Sequence, residues 1–530
     1  MRMIEVHLLL PQSKNALRWN IFSSCVSNSD YKVAGGHTKR IRFPVWSKGS
    51  GISQKLTHLA LSMVTTIENL KFGSSILDRN LLSKYTLVHS RNIGTLDRIM
   101  ETRMQISDSF QGVVINLDSN VDSQEIANRF GVTVLDSESL FLDSLLTASQ
   151  NIKSTLEKKD FIPFKIMIYS PNNYIEEICG DIPTQNYFFM NENLMFRTVF
   201  NLMDRFIAGE VSLASPPKLR LNERILLSQS TIKLTDILMY TNTRILRKVI
   251  SFMDRLLGKQ LLWNIYFGIG KNLDEIINNS ITYKKIDNPA NYFLADPFLF
   301  FHKGKSYCFA EAFDLRRKKG MISELIFSNG TLEYDRIVLE EDFHLSFPFI
   351  FEYENRMYMC PETSEIGEVR LYVYDEQMKV WEFYSTLLTK IAAVDSLIFE
   401  RNGYWWLICS VDAVGLGNYS SELHLYYSTS PIDSNWNKHP QSPISLSSTN
   451  GRNGGLVILD SDIYRVAQKQ GFNTYGKQVC LMHIDSITPT GYSESIYIRE
   501  LPYPNKLAMA SHHLDIKDNF IVRDSVEYSK

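Results

Sequence analysis

Short apolar runs separated by longer amphipathic stretches fill the first 200 residues. VHLLLP (6–11), KYTLVHS (84–90), GVVINLD (112–118), GVTVLD (131–136) and FKIMIYS (164–170) read as buried strands. Ile52–Leu70 and Ser123–Phe130, between them, read as helices. Continuous apolar strands alternating with helices predict an α/β domain of Rossmann-like type over residues 1–200, with a mostly parallel sheet. Residues 201–275 keep apolar positions at i, i+3 and i+4, the spacing of a helical connector. Within it LRKVISFMDRLLGKQLLW is basic and amphipathic. Such a helix either packs between two domains or makes a peripheral membrane contact through residues 245–265.

From residue 276 to 530 the period shortens to two, and the pattern repeats. ADPFLFFHKGKSYCFAE (295–311), SFPFIFEYENRMYMCPE (346–362), AVDSLIFERNGYWWLICS (393–410) and RNGGLVILDSDIYRVAQ (452–468) are each an alternating strand, a polar turn and a second strand carrying Tyr or Trp. HHLDIKDNFIVRD (512–524) is a weaker fifth copy. Matched positions Asp296, Phe347, Asp395, Asn453 and His512 are separated by 51, 48, 58 and 59 residues. A strand-and-turn period near 50 predicts a β-propeller, here all-β and five-bladed.

In such a blade the two ends of the first hairpin return to the same rim. The turn near Lys303–Gly304 sets Asp296 beside Glu311, and the same symmetry pairs Phe347 with Glu362, Asp395 with Ser410 and Asn453 with Gln468. The polar residues of four blades are therefore expected at one mouth of the channel. Asp296, Asp395, Glu362 and Glu311 are the candidate catalytic groups, and His344, Arg452, Gln468 and His512 the candidate substrate-binding ones, with Ser346 beside them. Facing carboxylates suit glycosidic chemistry, in which one is ionised while a like-charged neighbour stays protonated as the acid. The plainer alternative is that these acids staple turn amides. Trp405 and Trp406 alternate across a strand, so at least one belongs to the core.

Charge removes some classes of partner. With 56 Lys and Arg against 58 Asp and Glu, the net charge of −2 gives no global attraction to nucleic acid. The six cysteines form no CxxC pair, which argues against zinc ribbons and thioredoxin-type sites and for buried, reduced thiols. No stretch approaches the ~18 apolar residues of a membrane span, and the first strand is broken by Glu5 and His7 where a secretory signal would be continuous. A cytoplasmic location is expected. No Walker A or GxGxxG motif occurs, the GSG of IRFPVWSKGSGIS being isolated, and no metal or cofactor is predicted.

FLADPFLF, FHLSFPFIFE, YMCPET, AVDSLIFERNGYWWLI, ELHLYYSTSPIDSNWNKHPQSPI, YRVAQ followed by YG, and the late HH together resemble a bacterial two-domain family. Its five-bladed propeller is similar to the N-terminal domain of plant glucosamine inositolphosphorylceramide transferase, and more distantly to arabinanase and fructosidase propellers. That likeness implies Asp296 as base, Asp395 as second acidic residue and Glu362 as acid. Blade four departs from the hydrolase pattern, carrying Asn453 and Gln468 in place of an acid motif. In many such proteins the propeller follows a formyltransferase-like domain, which residues 1–200 resemble through VVINLDS and GVTVLD. That family's chemistry needs an Asn–His–Asp set: Asn116 and Asp118 are present, but the loop reads GVTVLDSESLF and no histidine occurs between His89 and His302.

The function expected is carbohydrate-active, in surface polysaccharide or glycolipid biosynthesis, with a glycan, sugar nucleotide or glycolipid as partner. Its alternatives are a non-catalytic glycan- or partner-binding scaffold and N-formylation of an amino sugar.

Overall fold

The computed structural model describes residues 4–10, 86–89, 111–117, 119–137, 145–211, 233–270 and 272–529, with isolated positions between 60 and 67. Most of the expected Ile52–Leu70 helix, the IRFPVWSKGSGIS segment and Asp118 lie outside the described residues. The chain divides into two units near residue 250.

In the first unit, β1 (Ile4–Leu10), β2 (Thr86–His89), β3 (Gln111–Asn116), β4 (Thr133–Asp136), β5 (Phe161–Ser170) and β6 (Tyr174–Pro183) form one sheet in the order β2-β1-β3-β4-β5-β6. The four strands β2-β1-β3-β4 pair in parallel, and β5 and β6 are antiparallel. Helix α1 (Ser123–Phe130) begins at Asp122, whose side chain accepts from the Gln124 and Glu125 amides, and ends at Gly131. Asn116 Nδ2 donates to Val121 O (3.2 Å) and Ser123 Oγ (3.0 Å). Ser123 in turn donates to Asp136. The Asn116 amide thus ties β3 to the start of α1. Helices α2 (Leu145–Leu156) and α3 (Phe188–Ile207) follow β4 and β6.

Helix α4 (Leu234–Leu256) runs across the division between the units. It stops short of the expected helical stretch because Gly258 takes a left-handed backbone (φ +65°). Leu261–Ile269, rich in aromatic and β-branched residues, is then a strand (β7). This corrects both the 201–275 helical connector and the 245–265 helix: their last residues belong to the propeller.

The second unit is built of four-stranded antiparallel sheets. Sheet one is β9 (Tyr292–His302), β10 (Lys305–Asp314), β11 (Lys319–Ser328) and β12 (Thr331–Leu339). Sheet two is β13 (Ser346–Tyr353), β14 (Arg356–Glu362), β15 (Glu368–Asp375) and β16 (Val380–Thr389). Sheet three is β17 (Ala393–Arg401), β18 (Tyr404–Val411), β19 (Leu423–Ser428) and β20 (Asn437–Lys438). Sheet four is β21 (Asn453–Leu459), β22 (Asp462–Gly471), β23 (Thr474–Thr488) and β24 (Gly491–Ile498). The fifth joins β25 (Leu514–Lys517) and β26 (Phe520–Tyr528) to β7 and β8 (Lys284–Lys285).

The first strand of each sheet packs on the first strand of the next, β9 on β13, β13 on β17, β17 on β21, β21 on β25, and β25 on β9 again. A ring of five sheets closed in this way is a five-bladed propeller. Closure depends on β26 pairing with β7 along nine residues, Tyr528 opposite Leu261 through Phe520 opposite Ile269.

The hydrophobic clusters of the propeller take up many of its aromatic residues. Phe351, Leu397, Trp406 and Ile408 join one large buried cluster, with Trp406 fully buried and Trp405 half-buried against Phe351 and Tyr353. Cys308, Cys360, Cys409 and Cys480 are buried free thiols.

Candidate active site

The innermost strands of the first three blades leave their register at the same place. In β9 the residues Asp296 and Pro297 stand opposite the single Ala310. Likewise Phe347 and Pro348 oppose Pro361, and Asp395 and Ser396 oppose Cys409. The first bulged residue is left-handed in all three, with φ of +48° at Asp296, +46° at Phe347 and +51° at Asp395. Aspartate tolerates this region because its short side chain bonds locally, whereas phenylalanine does not enter it without strain. A bulge re-aims a side chain. Here it turns two carboxylates out of the sheet alternation and into a shared, buried cluster.

Asp395 is held most firmly. It accepts from Arg452 Nε (2.6 Å) and Nη2 (3.5 Å) and from Gln468 Nε2 (3.3 Å). Burial pushes its carboxyl up, Arg452 draws it back, and the balance lies at about 6. Arg452 also reaches toward Glu362 Oε2 at 3.9 Å and lies over the Tyr475 ring at 4.8 Å. Glu362 accepts from Ser346 (3.2 Å) and Ser364 (2.9 Å).

Asp296 and Glu311 have less compensation. Asp296 Oδ1 has no hydrogen-bond partner, lying 3.7 Å from His512 Nε2 and 3.9 Å from His513 Nδ1. Burial raises it to about 7 against the pull of His512. Glu311 is pushed well above the usual carboxylate range, first by burial and then by the charges of Asp296 and Glu362. His344 Nε2 lies 3.6 Å away, but burial lowers the affinity of that imidazole for a proton. Gly320 permits this approach, since a Cβ there would stand 2.6 Å from both Glu311 Oε1 and the His344 ring.

The two adjacent histidines are driven apart in charge. His513 is fully buried, edge-on to Phe298 at 4.5 Å, and pushed down to about 3, hence neutral. His512 is also buried, but Asp524 and Asp296 outweigh that burial and raise it. Asp524 accepts from the backbone amides of His512 (3.1 Å), His513 (3.0 Å) and Asp296 (3.2 Å), and its Oδ2 lies 2.6 Å from His512 Nδ1. Trp263 stacks on the other side of His512, ring centroids 3.9 Å apart and nearly parallel.

Asp296, His512 and Asp524 each offer a ligand atom within 4.8 Å of the others, close enough for a cation. The hydrogen bonds favour another reading. Both Asp524 oxygens already accept from backbone amides, and Oδ2 also faces His512 Nδ1, so the group is a chain of close acid–imidazole contacts.

All eight residues singled out in the sequence thus meet in one region: Asp296, Glu311, Glu362 and Asp395 as mutually interacting acids, with His344, Arg452, Gln468 and His512 among them. Gln468 and Asn453 differ in kind from the rest. Gln468 donates to Asn453 O (2.6 Å), and Asn453 Nδ2 bonds the Asp395 and Ile408 carbonyls (2.8 and 3.1 Å), so both staple backbone. Sequence reasoning missed Asp524, Trp263 and Tyr475. Asp524 sits in VRD as an ordinary strand residue, and only the fifth sheet carries it beneath His512. Trp263 was hidden in the presumed connector.

Ring and site together define a five-bladed propeller with an acidic, aromatic-walled cluster at the bulged ends of its inner strands. Residues 276–519 match the family described as glucosamine inositolphosphorylceramide transferase 1, N-terminal. The glucosamine inositolphosphorylceramide transferase 1 of Arabidopsis thaliana is 35% identical over 244 residues, which is 43% of this chain and 31% of that protein. The Oryza sativa subsp. japonica protein is 35% identical over 238 residues, with the same two shares. The chain therefore spans about a third of the length of the relatives it matches. Among solved structures, an α-L-arabinanase from Cellvibrio cellulosa has a TM-score of 0.31 at 11% identity, covering 45% of this chain and 94% of that one. A thermostable family-43 glycoside hydrolase has a TM-score of 0.31 at 13% identity, covering 42% and 85%. At scores of this size the fold assignment stands on the ring of sheets itself.

Proposed function

We propose that this protein is a carbohydrate-active enzyme of surface polysaccharide or glycolipid assembly, making or breaking a glycosidic bond at the rim of the propeller channel. One observation carries the reading: buried carboxyls crowd together with unequal proton affinities, Glu311 pushed well above the usual carboxylate range and Asp296, 3.7 Å from His512, raised to about 7. Glycosidic chemistry needs one group to deliver a proton to the leaving oxygen while another takes one from the incoming hydroxyl. Glu311 is suited to the first task and Asp296, backed by the His512–Asp524 pair, to the second. This moves the acid from Glu362, the residue the family likeness implied, to Glu311. Glu362 with Ser346 and Ser364 offers hydroxyl-binding groups, and Tyr475, Trp263 and Arg452 offer a wall for a sugar ring. The matched relatives are named glucosamine inositolphosphorylceramide transferases, which supports an amino sugar or an inositol-phosphate glycolipid as the substrate class.

The test is turnover of nucleotide sugars, oligosaccharides and glycolipid acceptors by the full chain. Glu311→Gln and Asp296→Asn each lower kcat by about 10²-fold or more, the usual share of a general acid or base, without lowering the melting temperature. Asp395→Asn is the poorer probe. It strands the buried Arg452 charge, at about 3–5 kcal/mol, so lost activity and lost stability would be confounded.

A second reading has its own observation. Blade four has Asn453 and Gln468, both bonded to backbone carbonyls, where an acid would complete a hydrolase-like set. Glycan binding with no turnover across the panel would establish a binding module instead.

A further inference from the structure

Helix α4 buries Ile237 and Tyr240 of its first half but leaves the apolar residues of its second half exposed. Arg244 turns inward over the rings of Tyr240 (4.4 Å) and Tyr187 (5.4 Å). The apolar positions point to water: Leu246 is 58% exposed, Val249 51%, Ile250 50%, Met253 47%, Leu256 65% and Leu257 62%. Monomeric proteins seldom leave so contiguous an apolar face uncovered. At 100° per residue these positions, with Ile245 and Phe252, span a sector of roughly 160°. A helix-pairing seam is a narrower stripe.

Charge indicates what covers it. Between residues 244 and 259 the sequence carries Arg244, Arg247, Lys248, Arg255 and Lys259 against the single acid Asp254. Lys248 and Lys259 are exposed, and Lys248 falls at one edge of the apolar sector. Long cationic side chains at the border of an apolar face bury their stems and present their charge to phosphate. No described helix is long and apolar enough to cross a membrane, so the face is suited to lying in the interface rather than spanning it.

We infer that α4 docks this protein on a bilayer surface containing anionic phospholipid, its apolar face in the acyl boundary and Lys248 and Lys259 at the headgroups. The docking stands independently of the sugar reading, and only its purpose rests on it. Leu261 opens the strand that carries Trp263 against His512, so the chain passes directly from the docked helix into the wall of the candidate site. A lipid-anchored acceptor is the substrate such an arrangement serves.

The experiment is co-sedimentation of the full chain with vesicles of phosphatidylcholine and phosphatidylglycerol, and with vesicles of phosphatidylcholine alone. Docking predicts pelleting with the anionic vesicles and weaker pelleting with the neutral ones. Ile250→Glu with Met253→Glu lowers the bound fraction about tenfold or more, with an unchanged melting curve because both side chains already face water. Lys248→Glu with Lys259→Glu weakens binding to the anionic vesicles and leaves the neutral ones unaffected. The inference is overturned if the wild-type chain pellets with neither vesicle, or if the Ile250/Met253 variant binds as well as wild type. It is equally overturned if the wild-type chain is a dimer that this variant converts to monomer with no vesicle binding by either, which would assign the face to a second copy.

Discussion

Asp296 and Asp395 occupy the same left-handed bulge position in different blades, yet their surroundings separate them. Asp395 faces Arg452 at 2.6 Å, whereas Asp296 lies 3.7 Å from His512 Nε2 and keeps an unpartnered oxygen. The consequence for stability has a definite sign. Because the folded-state value of Asp296 is raised to about 7, the unfolded chain loses this proton at lower pH than the folded one. Stability therefore falls as pH rises from the ordinary carboxylate range to about 7, and the full cost persists above it. Asp296→Asn removes that cost and keeps a residue that tolerates the left-handed backbone. The variant is expected to be more stable than wild type at pH 8, on the order of 1–3 kcal/mol. The gap closes toward pH 5, as urea unfolding at the two pH values would show. A variant less stable at pH 8 would mean that Asp296 is a structural staple. Both aspartates were legible in the sequence from the hairpin symmetry. The bulges that aim them were not, because a period-two pattern does not mark where one strand gains a residue over its partner.

Among the elements, the turn between β22 and β23, with the first residues of β23, carries much of the site's precision. Gly476 has φ +56°, and a Cβ there would stand 2.5 Å from the His512 Cβ. Its carbonyl accepts from the Ser511 amide (3.0 Å), which fixes the segment entering the histidine pair. Gly476→Ala combines left-handed strain with overpacking, together about 2–4 kcal/mol. It is also expected to separate Trp263 from His512, so a shift in tryptophan emission should accompany the lowered melting temperature. Normal emission with full stability would show that the turn relaxes freely. The YG pair was visible as a motif, but its duty was not, since His512 lies far along the chain. Helix α4 was legible as basic and amphipathic. Which face it turns inward was not, because the same periodicity describes an apolar stripe pointing to the core or to water.

For the whole molecule, closure of the ring is the decisive event. The first four sheets form from consecutive strands, but the fifth takes β7 from ahead of the first sheet and β25 and β26 from behind the fourth. Ile265 and Phe267 of β7 are buried with Val522 and Leu299 between the last and first blades. A fragment beginning at residue 276, the start suggested by the repeat alone, lacks β7 and is expected to lose cooperative thermal unfolding. One beginning at Gly258 should keep it. Calorimetry of the two distinguishes them, and equal cooperativity would show that ring closure can proceed without β7.

The sequence by itself determined the repeat, the alternation of each blade's inner hairpin and the convergence of Asp296, Glu311, Glu362 and Asp395 on one rim. Those follow from strand period and turn placement, which are local. Tertiary structure alone decided the blade boundary at β7, the bulges, and the grouping of Asp524 and Trp263 around His512. It also set the division of proton affinities, with Glu311 high, Asp296 near neutrality and Asp395 paired. Each of these depends on which distant groups share a buried volume, and burial and charge act through space between residues that the sequence keeps far apart.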